Sequence, residues 1–384
     1  MTAAVETLQV DGLLAAARDK IGLDDFGDEW FVEPLGVLVK SLNDEARLSS
    51  MGFQMTQRRL TALLVDRLRL RRLQRQHPEI LDVGVQVAAE ICGLPRTGST
   101  LLHRLLAASP QLTSTASWET SYPLPFPGEG PDAAERKSRA RKKMELFLEL
   151  SPDFGDIHTV TWDEPEEDII LLDRTFVSQT FDSFYWVPSY GAWLRSFDQA
   201  PAYRELREWL QVLQWQEPSR AGQRWVLKSP HHLTATSTVL DTFPGCKLVM
   251  THRSPVSAVP SYASMVVAMS SQYSEQVDPV AIGRYWNDRF VESLGSFTTV
   301  RAQRPERFVD VQFTDTLSDP LAVARQVLSA LGLACGSEDV AAFEAYLARN
   351  REERHGAHRY SAEDFGLSAA QLEADFSFYV EEYL

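Results

Sequence analysis

The stretch ICGLPRTGSTLLHRLL, which begins at Ile91, gathers residue types suited to holding an anion. Gly93 and Gly98 stand at the spacing of the phosphate-cradling loop G-x-x-x-x-G-K-[ST], and Thr100 fills its hydroxyl position. The lysine that would reach the β- and γ-phosphates is absent, and Ser99 occupies its place. A cation enters inside the loop instead, at Arg96, two residues before the second glycine. A strand feeding a glycine-bearing turn and then a helix forms an anion site, because main-chain N–H groups and the helix dipole converge there. Thr97, Gly98, Ser99, Thr100 and Leu101 are therefore expected to line the anion. Gly98 permits close backbone approach, while Ser99 and Thr100 add hydroxyl donors.

A second anion site is expected further along. In MTHRSPVSAVPS, Arg253 closes an apolar strand and Ser261 follows eight residues later. If the intervening residues turn into a helix, the guanidinium and the hydroxyl return to one end and clasp one phosphate. Lys228, in WVLKSPHHL, also closes an apolar strand, which argues against a plain surface lysine.

The elements that must position these groups are legible in outline. Residues 1–80 read as a helical extension, with Leu60, Leu63, Leu64 and Leu68 at helical spacing and Pro78 as the stop. The arginines of that stretch, Arg58 to Arg75, are expected on a solvated face. Beyond it, VQVAAEICGL, RWVLKS, CKLVMTHR and RFVDVQFTDTL read as buried strands alternating with helices. That alternation predicts an α/β domain over 81–384, a P-loop-like central parallel sheet flanked by helices. Ligands of such sheets collect outside the carboxyl ends of the strands, where every charged motif above falls. An irregular, aromatic-rich insertion at about 113–222 carries Phe181, Phe184, Tyr185, Trp186, Tyr190 and Trp193. Its rings are expected mainly as core, and the insertion as an acceptor-binding region.

Bulk composition narrows the partners. The chain has 384 residues, 44% hydrophobic and 24% charged, enough for a large core. A formal net charge of −15 argues against a nucleic-acid binder, so an anionic ligand needs a local cluster of cations. Three cysteines without C-x-x-C spacing fit a reducing compartment with neither a disulfide framework nor structural zinc. No apolar run reaches membrane-spanning length, and the expected location is cytoplasmic. A homo-oligomer is compatible with the sequence.

Taken in order, LPRTGST, WVLKSPHHL and HRSPVSAVPS resemble the sulfotransferases that use 3′-phosphoadenosine-5′-phosphosulfate (PAPS). The likeness is closer to the bacterial and tyrosylprotein-type branch than to the cytosolic one, and spans roughly residues 85–335. The resemblance implies that Arg96 grips a single 5′-phosphosulfate, with Arg253 and Ser261 on the 3′-phosphate and Lys228 on the leaving oxygen. With no magnesium-bridged triphosphate to hold, a lysine at position 99 is not required, and no metal is expected. The implied acceptor is a hydroxyl or phenol of a small, hydrophobic or aromatic molecule.

Two candidates stand for the base that takes the acceptor proton. Glu119, in ASWETSYPLP, lies where the tyrosylprotein-type branch keeps a glutamate. His231, or its neighbour His232, is similar to the histidine of the cytosolic branch but sits one residue further from the lysine. Glu119 is preferred. Arg354, in EERHGAHRYS, is a further candidate for the 3′-phosphate. The acids Asp163, Glu164, Glu166, Glu167 and Asp168 read as a helix start, with substrate contact by Glu167 or His158 as the alternative. Two rival functions remain: a P-loop kinase or NTPase that has lost its lysine, and a non-catalytic nucleotide-binding protein.

Overall fold

The computed structural model describes residues 7–150, 161–350 and 361–384. The chain divides into two compact units. The first comprises residues 1–83, 169–211 and 266–278. Its long helix, Ser50–Gln76, is capped by the Ser49 side chain, which accepts from the Gly52 N–H. An aromatic file runs through this unit, with centroid separations of 6.1 Å for Phe31–Phe176, 6.3 Å for Phe176–Phe181 and 6.0 Å for Phe181–Tyr190. Phe181, Tyr185 and Tyr190 are buried core residues here, as their clustering predicts.

The arginines of that helix are not all solvated. Arg67 is 1% exposed, pairs with buried Glu205 and donates to the Arg174 carbonyl at 2.8 Å. Arg59 donates to Asp173 at 2.8 Å and lies 5.0 Å from the Phe181 ring centre. Each inward guanidinium meets a carboxylate contributed from residues 169–211, far along the sequence, which helix periodicity by itself does not reveal.

The second unit comprises residues 84–168, 212–265 and 279–384. It holds a five-stranded sheet: β1 (Val87–Gly93), β2 (Leu112–Thr113), β3 (Arg224–Lys228), β4 (Lys247–His252) and β5 (Phe308–Gln312). The order is β2-β3-β1-β4-β5 and every pairing is parallel. The expected α/β architecture is therefore present, with one strand more than the sequence suggests. Strand β2 is two residues long and sits at the edge, too short to show a pattern.

Burial on both faces explains why β1, β3 and β4 read as continuous apolar runs. Ile91, Val226, Val249 and Val309 pack with Leu102, Leu105, Leu106, Val327 and Leu328 from the helices Ser99–Ala107 and Pro320–Ala330. From β1 the chain goes to one side of the sheet for β2 and β3, then crosses to the other for β4 and β5. That reversal beside β1 is the topological switch point, where parallel sheets open a crevice at their carboxyl ends.

Candidate active site

The turn after β1 is shaped by contacts that exclude larger side chains. A Cβ on Gly93 would lie 2.5 Å from the Thr251 carbonyl oxygen, so β1 and β4 approach this closely only with glycine there. Gly98, at φ 78°, opens the helix Ser99–Ala107. Arg96 also adopts a left-handed φ, 67°, which is costly for a residue with a side chain. The bend is pinned from beneath. Buried Thr97 donates to the Leu94 carbonyl at 2.7 Å and shares a 2.6 Å bond with Thr251, which reaches the Cys92 carbonyl at 3.1 Å. Ser99, Thr100 and Leu101 form the first turn of the helix, and the Leu101 side chain packs on the core.

Arg253 follows directly on β4 and faces this turn. Its Nη1 donates to the main-chain oxygen of Arg96 at 2.5 Å, and its guanidinium carbon lies 4.3 Å from the Phe313 ring centre. Ser261 returns to the same end on the helix Pro255–Ser270, as expected, but its hydroxyl accepts from Arg96 Nε at 3.3 Å. The two cationic sites are thus joined: Arg96, Arg253 and Ser261 form one cluster. Behind it, His252 is clamped by Tyr379 Oη on Nδ1 at 2.7 Å and by Asp310 on Nε2 at 2.8 Å. Burial alone would raise the Asp310 carboxyl, but hydrogen bonds from His252 and Arg301 hold it below its usual range.

Lys228 ends β3 level with Ile91 of β1. Its ammonium reaches Glu167 at 2.5 Å and lies 3.4 Å from the Thr100 hydroxyl, so it faces the same turn from the other side. Glu167 is a partner that sequence reasoning placed only as an optional substrate contact. Its signal was the run of acids before an apolar stretch, whose helix in fact starts at Ile169.

Glu119 lies in the short helix Ser117–Ser121 after β2. Its Oε2 accepts from the Ala116 N–H at 2.9 Å and from Arg220 Nη2 at 2.8 Å. The strip 115–118 is stitched to 162–166 by Ser117 N–H to Glu164 O at 3.0 Å, Trp118 N–H to Trp162 O at 2.8 Å and Glu166 N–H to Thr115 O at 2.8 Å. One continuous layer therefore carries both Glu119 and Glu167. His231 is fully buried, and burial pushes its imidazole down to about 3, with neighbouring His232 adding to the effect. It is a neutral ring inside the fold. Arg354 and His158 lie outside the described residues.

A glycine-bearing turn ringed by Arg96, Lys228 and Arg253, on a chain of net charge −15, has the local chemistry suited to an anion, without a triphosphate lysine. The profile of the sulfotransferase family matches residues 90–337, which include all of these groups. The chain belongs to the sulfotransferase family. This sulfotransferase is similar to the crystal structure of sulfotransferase STF1 from Mycobacterium tuberculosis, with 30% identity and a TM-score of 0.86, covering 98% of this chain and 100% of that one. Sulfotransferase STF9 from Mycobacterium avium shares the fold at 24% identity and a TM-score of 0.85, covering 99% of this chain and 98% of that one. Among curated sequences, the omega-hydroxy-beta-dihydromenaquinone-9 sulfotransferases Stf3 of Mycobacterium bovis and Mycobacterium tuberculosis are 25% identical over 299 residues, 73% of this chain and 70% of the relative. The resemblance carried by LPRTGST, WVLKSPHHL and HRSPVSAVPS holds: the protein is a sulfotransferase of a bacterial, PAPS-using family. No helix among the described residues is long and apolar enough to cross a membrane.

Proposed function

We propose that this sulfotransferase moves the sulfuryl group of PAPS to a hydroxyl or phenol of a small hydrophobic acceptor. The observation that carries the reading is the hydrogen bond from Arg253 to the main-chain oxygen of Arg96, which sets both arginines at the turn after β1. When bound, the donor supplies a sulfuryl group whose bond to the 5′-phosphate oxygen breaks as the acceptor oxygen attacks sulfur.

The chain's own groups then have separable roles. The N–H groups and hydroxyls of Thr97 to Leu101, with Arg96, hold the 5′-phosphosulfate. Arg253 and Ser261 take the 3′-phosphate, whose second charge distinguishes the donor from other adenine nucleotides. Lys228 neutralises charge building on the leaving oxygen, and preorganised cations of this kind supply much of the catalysis in group transfer. Glu119 takes the acceptor proton through Oε1, since Oε2 is committed to Ala116 and Arg220. Buried His231 suits packing better than proton transfer.

A hydrophobic acceptor is supported by two features. Half-buried Trp118, Tyr122 and Phe126 flank Glu119 along the chain. The Stf3 relatives are named for a hydroxylated dihydromenaquinone. The deciding measurement compares thermal stabilisation by adenosine 3′,5′-bisphosphate with that by ATP and Mg²⁺, because a ligand selective for the native state raises its melting point. A larger shift with the bisphosphate is expected. A larger shift with ATP and Mg²⁺ would restore the kinase or NTPase alternative. Transfer of labelled sulfate from PAPS to a hydroxylated menaquinone is the accompanying activity assay.

A further inference from the structure

Glu167 and Asp168 are adjacent, yet they face opposite ways. Glu167 reaches Lys228 at 2.5 Å, and Asp168 meets His232 with Oδ2 3.1 Å from Nε2. Lys228 and His232 flank the turn that leaves β3, separated by Ser229, Pro230 and His231. The two acids therefore engage the two bases as parallel rungs between the same two segments. The outer rung borders the turn after β1, and the inner one has no solvent exposure on either side chain.

We propose that the buried Asp168–His232 pair is a positioning brace that fixes the Lys228 ammonium beside the turn after β1. The inference rests on the reading that Lys228 serves the leaving oxygen. A lysine carries several rotatable bonds, and its pair with Glu167, a carboxylate 23% exposed, does not by itself fix the ammonium. A dry ion pair four residues away holds the two backbone segments together, so Glu167 and Lys228 meet with little freedom left to lose. Asp168 stays ionised in this setting: burial would raise it, but the charge and hydrogen bond of His232 outweigh that.

Glu90 of β1 closes the arrangement from below, with Oε2 3.0 Å from the same His232 nitrogen. Two carboxylates and one imidazolium in a dry interior would leave a net negative charge, which is very unfavourable. Burial, followed by the Asp168 charge, raises the Glu90 carboxyl to about 7 against the opposing pull of His232. Glu90 thus stands as a neutral acid below about 7, which relieves the charge beside ionised Asp168. The brace is tied to the strand that ends in the anion turn.

The test uses the full-length protein. Asp168→Asn is expected to lower kcat at least tenfold, while KM for PAPS changes less than threefold. In a Lys228→Ala background the same substitution should cost less than twofold more, because its effect passes through the lysine. Multiplicative losses would overturn the brace. Independently of activity, acetylation of Lys228 by a soluble acylating reagent, followed by peptide mass spectrometry, should speed up at least threefold in Asp168→Asn. An unchanged labelling rate would also overturn it. Should Asp168→Asn lack a cooperative melt, His232→Asn is put through the same labelling and kinetics. Should wild type transfer no sulfuryl group from PAPS, the functional reading fails, and the labelling rate still judges the brace.

Discussion

The guanidinium of Arg253 donates to the main-chain oxygen of Arg96, while the Arg96 side chain donates to Ser261. Two arginines drawn from different strand ends thus share one hydrogen-bonded cluster, although like charges repel. Arg96 bends into a left-handed conformation to reach it. Such an arrangement is favourable when an anion is to be bound between the charges.

The first prediction follows from that cluster. Under the proposed assignment of Arg253 to the 3′-phosphate, removing it deletes a charge-assisted contact worth about 2 kcal/mol, or roughly thirtyfold in affinity. Arg253→Ala should weaken adenosine 3′,5′-bisphosphate by that factor in calorimetry and adenosine 5′-monophosphate by less than threefold. Equal losses would move the 3′-phosphate elsewhere.

For the acceptor proton, Glu119→Gln is expected to cut kcat by about a hundredfold or more, the usual span for a general base. Binding of the bisphosphate should change less than twofold. His231→Ala should instead lower the melting temperature and leave kcat of the folded enzyme within threefold. The reverse pattern would transfer the role to the histidine.

The clamp behind Arg253 yields a third expectation. Tyr379 Oη and Asp310 hold both nitrogens of His252, the residue before Arg253, and Tyr383 stacks on the same ring at 5.2 Å. Tyr379→Phe leaves the ring in place and removes one buried hydrogen bond, at about 1 kcal/mol. The melting temperature should fall by a few degrees, with bisphosphate affinity reduced severalfold. Full affinity would separate the carboxyl-terminal helix from the site.

How much of this was legible depends on whether a feature is local in sequence. The turn, Lys228 and Arg253 each announce themselves through a strand pattern ending in a glycine or a cation, so β1, β3 and β4 and their tips could be placed. Strand β2 escaped because two edge residues carry no period. Arg67 on Glu205 and His232 on Asp168 escaped because a buried charge is explained only by a distant partner. Ser261 was placed at the correct end, yet its bond goes to Arg96, since the left-handed bend at Arg96 is invisible in a string of letters. Glu90 left a faint trace, as the one acid inside an otherwise apolar strand.

That acid sets a dependence of stability on pH. The Glu90 carboxyl rises from 4.5 to about 7 in the folded protein, so the folded state retains a proton that the unfolded chain releases. The stabilisation linked to this proton is complete below about 4.5 and is lost as pH climbs through about 7, amounting to about 3 kcal/mol. His103 and His231 act in the opposite sense: burial lowers both to about 3, so they favour the fold above 6.5 and withdraw that support as pH falls toward 3. Replacing Glu90 by Gln keeps the shape of a neutral acid and cannot ionise. Denaturant titrations of Glu90→Gln and wild type should give similar stability near pH 4, with the variant ahead by about 1 kcal/mol at pH 5.5 and about 3 kcal/mol at pH 8.5. Parallel curves for the two proteins across that range would mean that Glu90 is already ionised in the fold, and that the charge beneath His232 is shared differently.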